Sequence, residues 1–183
     1  MIYNKEINSL KSDNYDLLIV GGGAVGLTLA SSLAYDGIKI CVVESGLDHY
    51  DNKYDKLKDV KTNGLNIKKN SRERIIGGAG QTWTGQLSNF DECDYNYRSD
   101  NYPDLGVNKK EIHLLLEKYG KFYKIPNLTF FERSRYKKTF FNLGEFFEQK
   151  VFLKQSSVFK FGDRLKHIFD SSNLDLIMGW TVT

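Results

Sequence analysis

Gly21, Gly23 and Gly26 stand in the spacing G-x-G-x-x-G, and Glu44 follows on the order of twenty residues later. These residue types at this spacing suit one chemistry, the holding of a dinucleotide. The first glycine permits a tight turn, the second lets backbone approach a pyrophosphate, and the third allows a helix to pack closely on a strand. A helix that begins at Ala24 and Val25 turns its unpaired N–H groups and its positive dipole end toward phosphate. A carboxylate placed like Glu44 can accept hydrogen bonds from a ribose hydroxyl.

The elements that must position these residues are legible on either side. Leu17–Val20 is a short apolar run and reads as a buried strand. After the turn, Val25, Leu29, Ala30, Leu33 and Ala34 recur at steps of three and four, which predicts a helix with those residues on one face. Gly37 stops it, since glycine accepts a left-handed C-terminal cap. A second strand over residues 38–43 then ends on Glu44, with Ser45-Gly46 as the turn beyond. A bare glycine triplet occurs by chance in surface loops. Strand, turn, helix, strand and acid in register do not, and they predict an α/β, Rossmann-like FAD/NAD(P)-binding domain with a parallel sheet.

Composition narrows the class. The hydrophobic and charged fractions, 40% and 27%, are those of a folded globular chain, and 183 residues suffice for one well-cored domain. A net charge of +3 is too small to argue for nucleic acid or an anionic membrane. Cys41 and Cys93 make neither a metal-spaced pair nor a disulfide framework, and Cys41 reads as a small buried hydrophobe in the second strand. No run is long enough to span a membrane, and residues 1–14 lack the apolar core of a signal peptide. They read as a polar lead-in, and the chain as cytoplasmic.

Residues 47–71 are polar, with Asp48, Asp51, Asp55, Asp59, many lysines and the hairpin-type turn signal Asn63-Gly64. A short amphipathic helix and a loose excursion both suit them. A second glycine loop follows, in which Arg74, Ile75-Ile76, Gly77-Gly78, Gly80, Gln81, Thr82, Trp83 and Thr84 come in succession. Glycines this dense let backbone pass close to something flat or charged. Arg74 can face phosphate as a charge partner and Trp83 can wall a site, although a buried Trp is more often core.

The first block, together with R-x-R-x-x-G-G-x-x-x-x-W, resembles the FAD-dependent glucose–methanol–choline oxidoreductase family, its sugar-oxidising branches above all. The resemblance implies that residues 77–84 run along the flavin with Arg74 near the cofactor. Residues 87–95 and 102–123 are similar to the family's stretch after that loop and to its next helix. The resemblance also implies that a helix and strand in 161–183 return to the FAD domain, with the backbone of Val182 at the adenine. Some relatives tether FAD through a histidine just before the loop's Trp. Thr82 stands there, after Gln81, so the FAD is expected to be non-covalent.

Read by themselves, residues 108–122 carry a capping box, Asn108 with Glu111, and an apolar stripe of Ile112, Leu115, Leu116, Tyr119 and Phe122. His113 falls beside the stripe and reads as exposed. Phe130-Phe131, Phe140-Phe141 and Phe146-Phe147 alternate with Arg133, Arg135, Lys137 and Lys138. Such a mixture can stack single-stranded nucleic acid, but Phe doublets more often pack on a core. Leu165, Ile168 and Phe169 mark a helical face with His167 beside it at the surface. Ser171-Ser172-Asn173 make a turn, and residues 174–178 a strand.

The family's hydroxyl-proton acceptor is a histidine, paired with a second histidine or an asparagine, near the C-terminus of a much longer chain. His49, His113 and His167 lie in no matching motif, so no catalytic residue is assigned and the chain reads as truncated. The domains expected are a lead-in at 1–14, an FAD-binding core at 15–100, the start of a substrate region at 101–160 and a return to the FAD domain at 161–183. The resemblance implies oxidation of a CH–OH group on a sugar, polyol or other alcohol, with the electron acceptor undefined and no metal. The rival is a non-catalytic module that holds FAD or ADP. A disulfide reductase would need a Cys-x-x-x-x-Cys pair near the first helix, and an amine oxidase lacks the 72–83 loop.

Overall fold

The computed structural model describes residues 15–68, 71–96, 106–136, 149–170 and 173–183, and the backbone of 2–4. Two compact units divide the chain, one formed by residues 1–83 with 160–183 and the other by residues 84–159. Lys137, Lys138, Phe140-Phe141, Phe146-Phe147, the Ser171-Ser172 turn and the proline turn before residue 106 lie outside the described residues.

The first unit is built on a four-stranded parallel sheet. Its strands are β1 (Ile2–Asn4), β2 (Leu17–Val20), β3 (Ile40–Glu44) and, late in the chain, the strand Leu174–Met178, in the order β1, Leu174–Met178, β3, β2. The two middle strands are almost wholly apolar. Ile40, Cys41, Val42, Leu174, Leu176, Ile177 and Met178 are all buried, as parallel strands covered on both faces require. This is a Rossmann-like α/β fold.

Helix α1 (Ala24–Leu33) crosses from β2 to β3. Ala30 and Ala34 of the expected stripe are buried and Leu27 joins them, whereas Val25 is 83% exposed and Leu29 43%. Gly26 faces β2, where a Cβ on it would stand 3.2 Å from Ile19, and Leu27 is fully buried. Gly37 does take the left-handed conformation, at φ +76°. The expectation of a fully buried first strand also fails. Among the described strands β2 is an edge, and Leu18 and Val20 face outward while Ile19 is buried under α1. The lead-in is also more than polar chain. Ile2–Asn4 pairs with Leu176–Met178 as β1, a strand too short to leave a period-two pattern in the sequence.

After β3 the chain makes a short helix, α2 (Asn52–Asp55), whose cap Asp51 accepts from the Lys53 amide at 2.7 Å. Asp55 is buried, and its carboxylate lies 2.6 Å from the Lys58 ammonium, which reaches Glu73 at 3.4 Å. This ionic cluster ties the excursion to the second glycine loop. Asn63-Gly64 is a bend, and the described residues on either side of it form no strand.

In the second unit β4 (Gln86–Leu87) pairs antiparallel with β5 (Leu153–Lys154). Helix α3 (Lys109–Tyr119) carries the predicted capping box, both bonds made at 2.9 Å. Its apolar stripe is not a core, since Leu115, Tyr119 and Phe122 are about half exposed. Ile112 and Leu116 line a groove of about 200 Å³ with Leu87, Phe90 and Phe131. His113 also lines it and is half-buried rather than exposed, because the groove wall rises beside the helix. Buried Gln155 stabilises this unit by donating to the Tyr123 and Lys124 carbonyls and accepting from the Phe159 amide.

In the first unit again, α4 (Phe161–Leu165) and a 3-10 turn, Lys166–Asp170, bury Leu165, Ile168 and Phe169 as expected, with His167 exposed. They lead into β6, Leu174–Met178. No helix among the described residues is long and apolar enough to cross a membrane.

Candidate functional site

The carboxyl ends of β2, β3 and β6 bring three glycine-bearing segments together. Gly21 leaves the sheet with φ +100°, a left-handed value that glycine tolerates, and still donates to the Val43 carbonyl at 2.8 Å. A Cβ on Gly26 would stand 2.0 Å from the Gly21 carbonyl oxygen and 3.2 Å from Ile19. Only a glycine lets α1 sit this close to β2. Gly23 caps α1 from an extended conformation, and nothing lies within 4 Å of the place its Cβ would occupy.

That opening faces the start of α1. The first intrahelical bond is Leu27 N–H to the Gly23 carbonyl, so the amides of Ala24, Val25 and Gly26 precede the ladder. The cap supplies no side-chain acceptor, and the first turn holds no carboxylate. A ten-residue helix with this end presents donors and a positive dipole terminus to an anion.

The second glycine loop is stitched to this turn. Gly77 N–H donates to the Gly22 carbonyl at 2.6 Å, and Ile76 N–H to the Leu47 carbonyl at 2.9 Å. Gly22, which the spacing motif leaves free, is constrained here as tightly as the motif glycines. A Cβ on it would meet Ile76 at 2.7 Å and Glu44 at 3.2 Å. Gly46 is constrained likewise by the Arg74 carbonyl. Neither signal is visible in a single glycine spacing, because both arise where two segments cross.

Glu44 is 5% exposed, and its oxygens accept from Gly22 N–H and Gly46 N–H, each at 2.7 Å. The Ser45 hydroxyl adds a bond at 3.2 Å. Beyond it the ladder continues, with Gly179 N–H on the Gly46 carbonyl and Trp180 N–H on the Glu44 carbonyl. Val182 lies two residues past this pairing and is 56% exposed.

Arg74 sits where these segments converge. Its Nη2 donates to the Thr181 hydroxyl at 2.7 Å, while its Nε is buried and has no hydrogen-bond partner among the described residues. A buried guanidinium nitrogen without an acceptor suits an anion at this place. Gly77 and Gly78 both have positive φ and open the 3-10 turn Gly78–Gln81.

The other expected site residues, Gln81, Thr82, Trp83 and Thr84, follow in this turn and just after it. The Gln81 amide is spent on α4, accepting from Gly162 N–H at 2.8 Å and donating to Asp163 at 3.0 Å. Its role is therefore to clamp the loop, a function of tertiary contact that the sequence does not display. Trp83 is half-buried against Phe161, ring centroids 6.3 Å apart, and its carbonyl accepts from the Lys160 ammonium. Thr82 is exposed, and exposed Thr84 opens the second unit. His49 pairs with Asp48 at the surface.

Residues 14–58 match the model of an FAD binding domain. A search of curated proteins gives no match. Among solved structures, one of a fungal aryl-alcohol oxidase aligns at a TM-score of 0.35 and 18% identity, over 59% of this chain and 24% of that one. The chain thus spans about a quarter of that protein's length. The matched segment holds the glycine turn, α1, β3 and Glu44, and the uncapped α1 terminus with the open face of Gly23 fits a pyrophosphate. The cofactor of this domain is FAD.

Proposed function

We propose that this chain is the FAD-binding portion of an oxidoreductase of the glucose–methanol–choline type, one that oxidises a CH–OH group of a sugar, polyol or other small alcohol. The observation that carries the reading is the uncapped α1 terminus, open over Gly23 and stitched by Gly77 to a second glycine loop. The amides of Ala24, Val25 and Gly26 hold the pyrophosphate, and Arg74 supplies a cation beside it. Gly77 and Gly78 carry backbone along the flavin, and the backbone of Val182 meets the adenine. FAD, when bound, accepts the hydride in such a reaction. Thr82 offers no nucleophilic ring nitrogen for a covalent link, so the cofactor is held non-covalently.

The family resemblance supports the choice of alcohol chemistry through the residues 72–83, where both arginines, the glycine pair and Trp83 keep the family's spacing. Residues 101–160 are the start of a substrate region, and 161–183 return to the FAD domain. His49, His113 and His167 receive no catalytic role.

Titration of the chain with FAD, followed by quenching of flavin fluorescence, tests the binding step. Saturable binding of FAD, competed by ADP and not by FMN or NAD, is the expected result. No binding, or equal binding of NAD, would sink the assignment. Retention of FAD without bleaching by any sugar or alcohol, in the longest form of the protein that cells make, would turn the reading toward a non-catalytic FAD-holding module.

A further inference from the structure

The groove beside α3 is lined by residues of the second unit alone. Phe90, Ile112, Leu116 and buried Phe131 give it apolar walls, and half of Phe90 is uncovered. Four polar residues interrupt these walls. The Ser88 hydroxyl donates to the Asn89 carbonyl at 3.2 Å. The Asn89 amide group, the Tyr95 hydroxyl and the His113 ring make no side-chain hydrogen bond among the described residues. No Asp, Glu, Lys or Arg is among the described residues that line the groove. An apolar concavity with a few polar groups is how small-molecule sites are built.

Size and chemistry narrow the guest. The groove's volume of about 200 Å³ exceeds that of a cavity of roughly 150 Å³ that holds benzene, so one ring with a short substituent fits. Phe90 stands edge-on to Tyr95, ring centroids 6.0 Å apart, and aromatic walls favour a further ring placed offset or edge-on. A charged guest would give up its water without meeting an opposite carboxylate, ammonium or guanidinium. We propose that this groove is a small-molecule site that takes a neutral aromatic ring bearing a hydroxyl or carbonyl group. The ring packs on Phe90, Phe131, Ile112 and Leu116. Its polar group bonds within the set Asn89, Tyr95 and His113, which offers both donors and acceptors. This goes beyond the FAD reading and does not rest on it, because the site belongs to the second unit.

Titration of the full chain with 4-ethylphenol, followed by amide NMR, tests the site. At about pH 8 both this phenol and an ordinary histidine are neutral. Saturable shifts at Ile112, His113 and Leu116, with Val42 unmoved and a Kd near 1 mM or below, are expected. Glucose should give no saturable shift, and benzoate should bind at least about tenfold more weakly. Ile112→Trp fills the groove and should abolish the shifts. Should that variant not fold, nuclear Overhauser contacts in the wild-type chain decide, expected between the ethyl group and the Ile112 and Leu116 methyls. The absence of saturable shifts up to about 10 mM would overturn the proposal. So would shifts that survive Ile112→Trp, contacts to other methyls only, or benzoate or glucose binding as tightly as the phenol. Groove amides that shift on dilution and ignore the phenol would make this face an interface between copies, and would overturn it too. A flavin titration of the same sample reads the FAD proposal separately.

Discussion

The α-carbon of Gly46 crosses the Arg74 carbonyl so closely that a Cβ on Gly46 would stand 1.8 Å from that oxygen. The crossing lets Leu47 receive the Ile76 amide, and it brings the second glycine loop beside the first. Gly46→Ala must push the two segments apart. A loss of about 1–3 kcal/mol, as for other overpacked positions, is expected in urea unfolding, together with weakened FAD binding. An unchanged unfolding midpoint would show that the segments do not meet in solution.

Gly23→Ala should separate binding from stability. Gly23 has φ −77°, which any residue adopts, and its Cβ direction is open. The cost to folding should stay near that of an alanine helix cap, below about 1 kcal/mol. The added methyl occupies the space over the α1 amides, so FAD affinity should fall about tenfold or more. Thermal unfolding and a flavin titration on the same preparation check both halves.

Lys58→Met leaves Asp55 and Glu73 buried without their cation and should destabilise by about 3–5 kcal/mol. Burial pulls the Lys58 ammonium down, but its bond to Asp55 and the charge of Glu73 outweigh this and raise it above its ordinary 10.5. A raised lysine stabilises the fold fully below the unfolded value, and the contribution is lost as pH climbs through the folded one. Wild-type stability should therefore decline above about pH 10.5 more steeply than that of Lys58→Met. Urea midpoints across pH 8 to 11.5, roughly the span that brackets this titration, would show parallel declines if the cluster did not form.

The two thiols should part in reactivity. Burial, and then the nearby Asp175 charge, pushes Cys41 up to about 11, whereas Cys93 is exposed. Iodoacetamide near pH 8 should label Cys93 in the native chain and both in urea, since the thiolate is the reactive form. Mass spectrometry reads the sites directly, and native labelling of Cys41 would contradict its place in β3.

The helix cap at Asn108 gives a last local check. Asn108→Ala removes the acceptor for Glu111 N–H and should cost about 0.5–2 kcal/mol, read as lost helicity and an earlier unfolding of residues 106–136.

Sequence alone carried the glycine turn, α1, β3, the parallel α/β class and the Asn108 capping box. Each is decided within a few residues, by spacing, a cap or an apolar run. It placed Ala30 and Ala34 on the buried face of α1 correctly but Val25 and Leu29 wrongly, since these two satisfy a helical period and yet stand exposed while Leu27 is buried. It also missed β1, whose three residues are defined by their partner Leu176–Met178 and not by a pattern of their own. The site divides in the same way. Gly21, Gly23 and Gly26 follow from local geometry. Gly22, Gly46, Gly162 and the turned-in carboxylate of Glu44 follow from where distant segments cross. A crossing is a coincidence in space between residues far apart in the chain, and only tertiary packing sets which backbone atoms meet there.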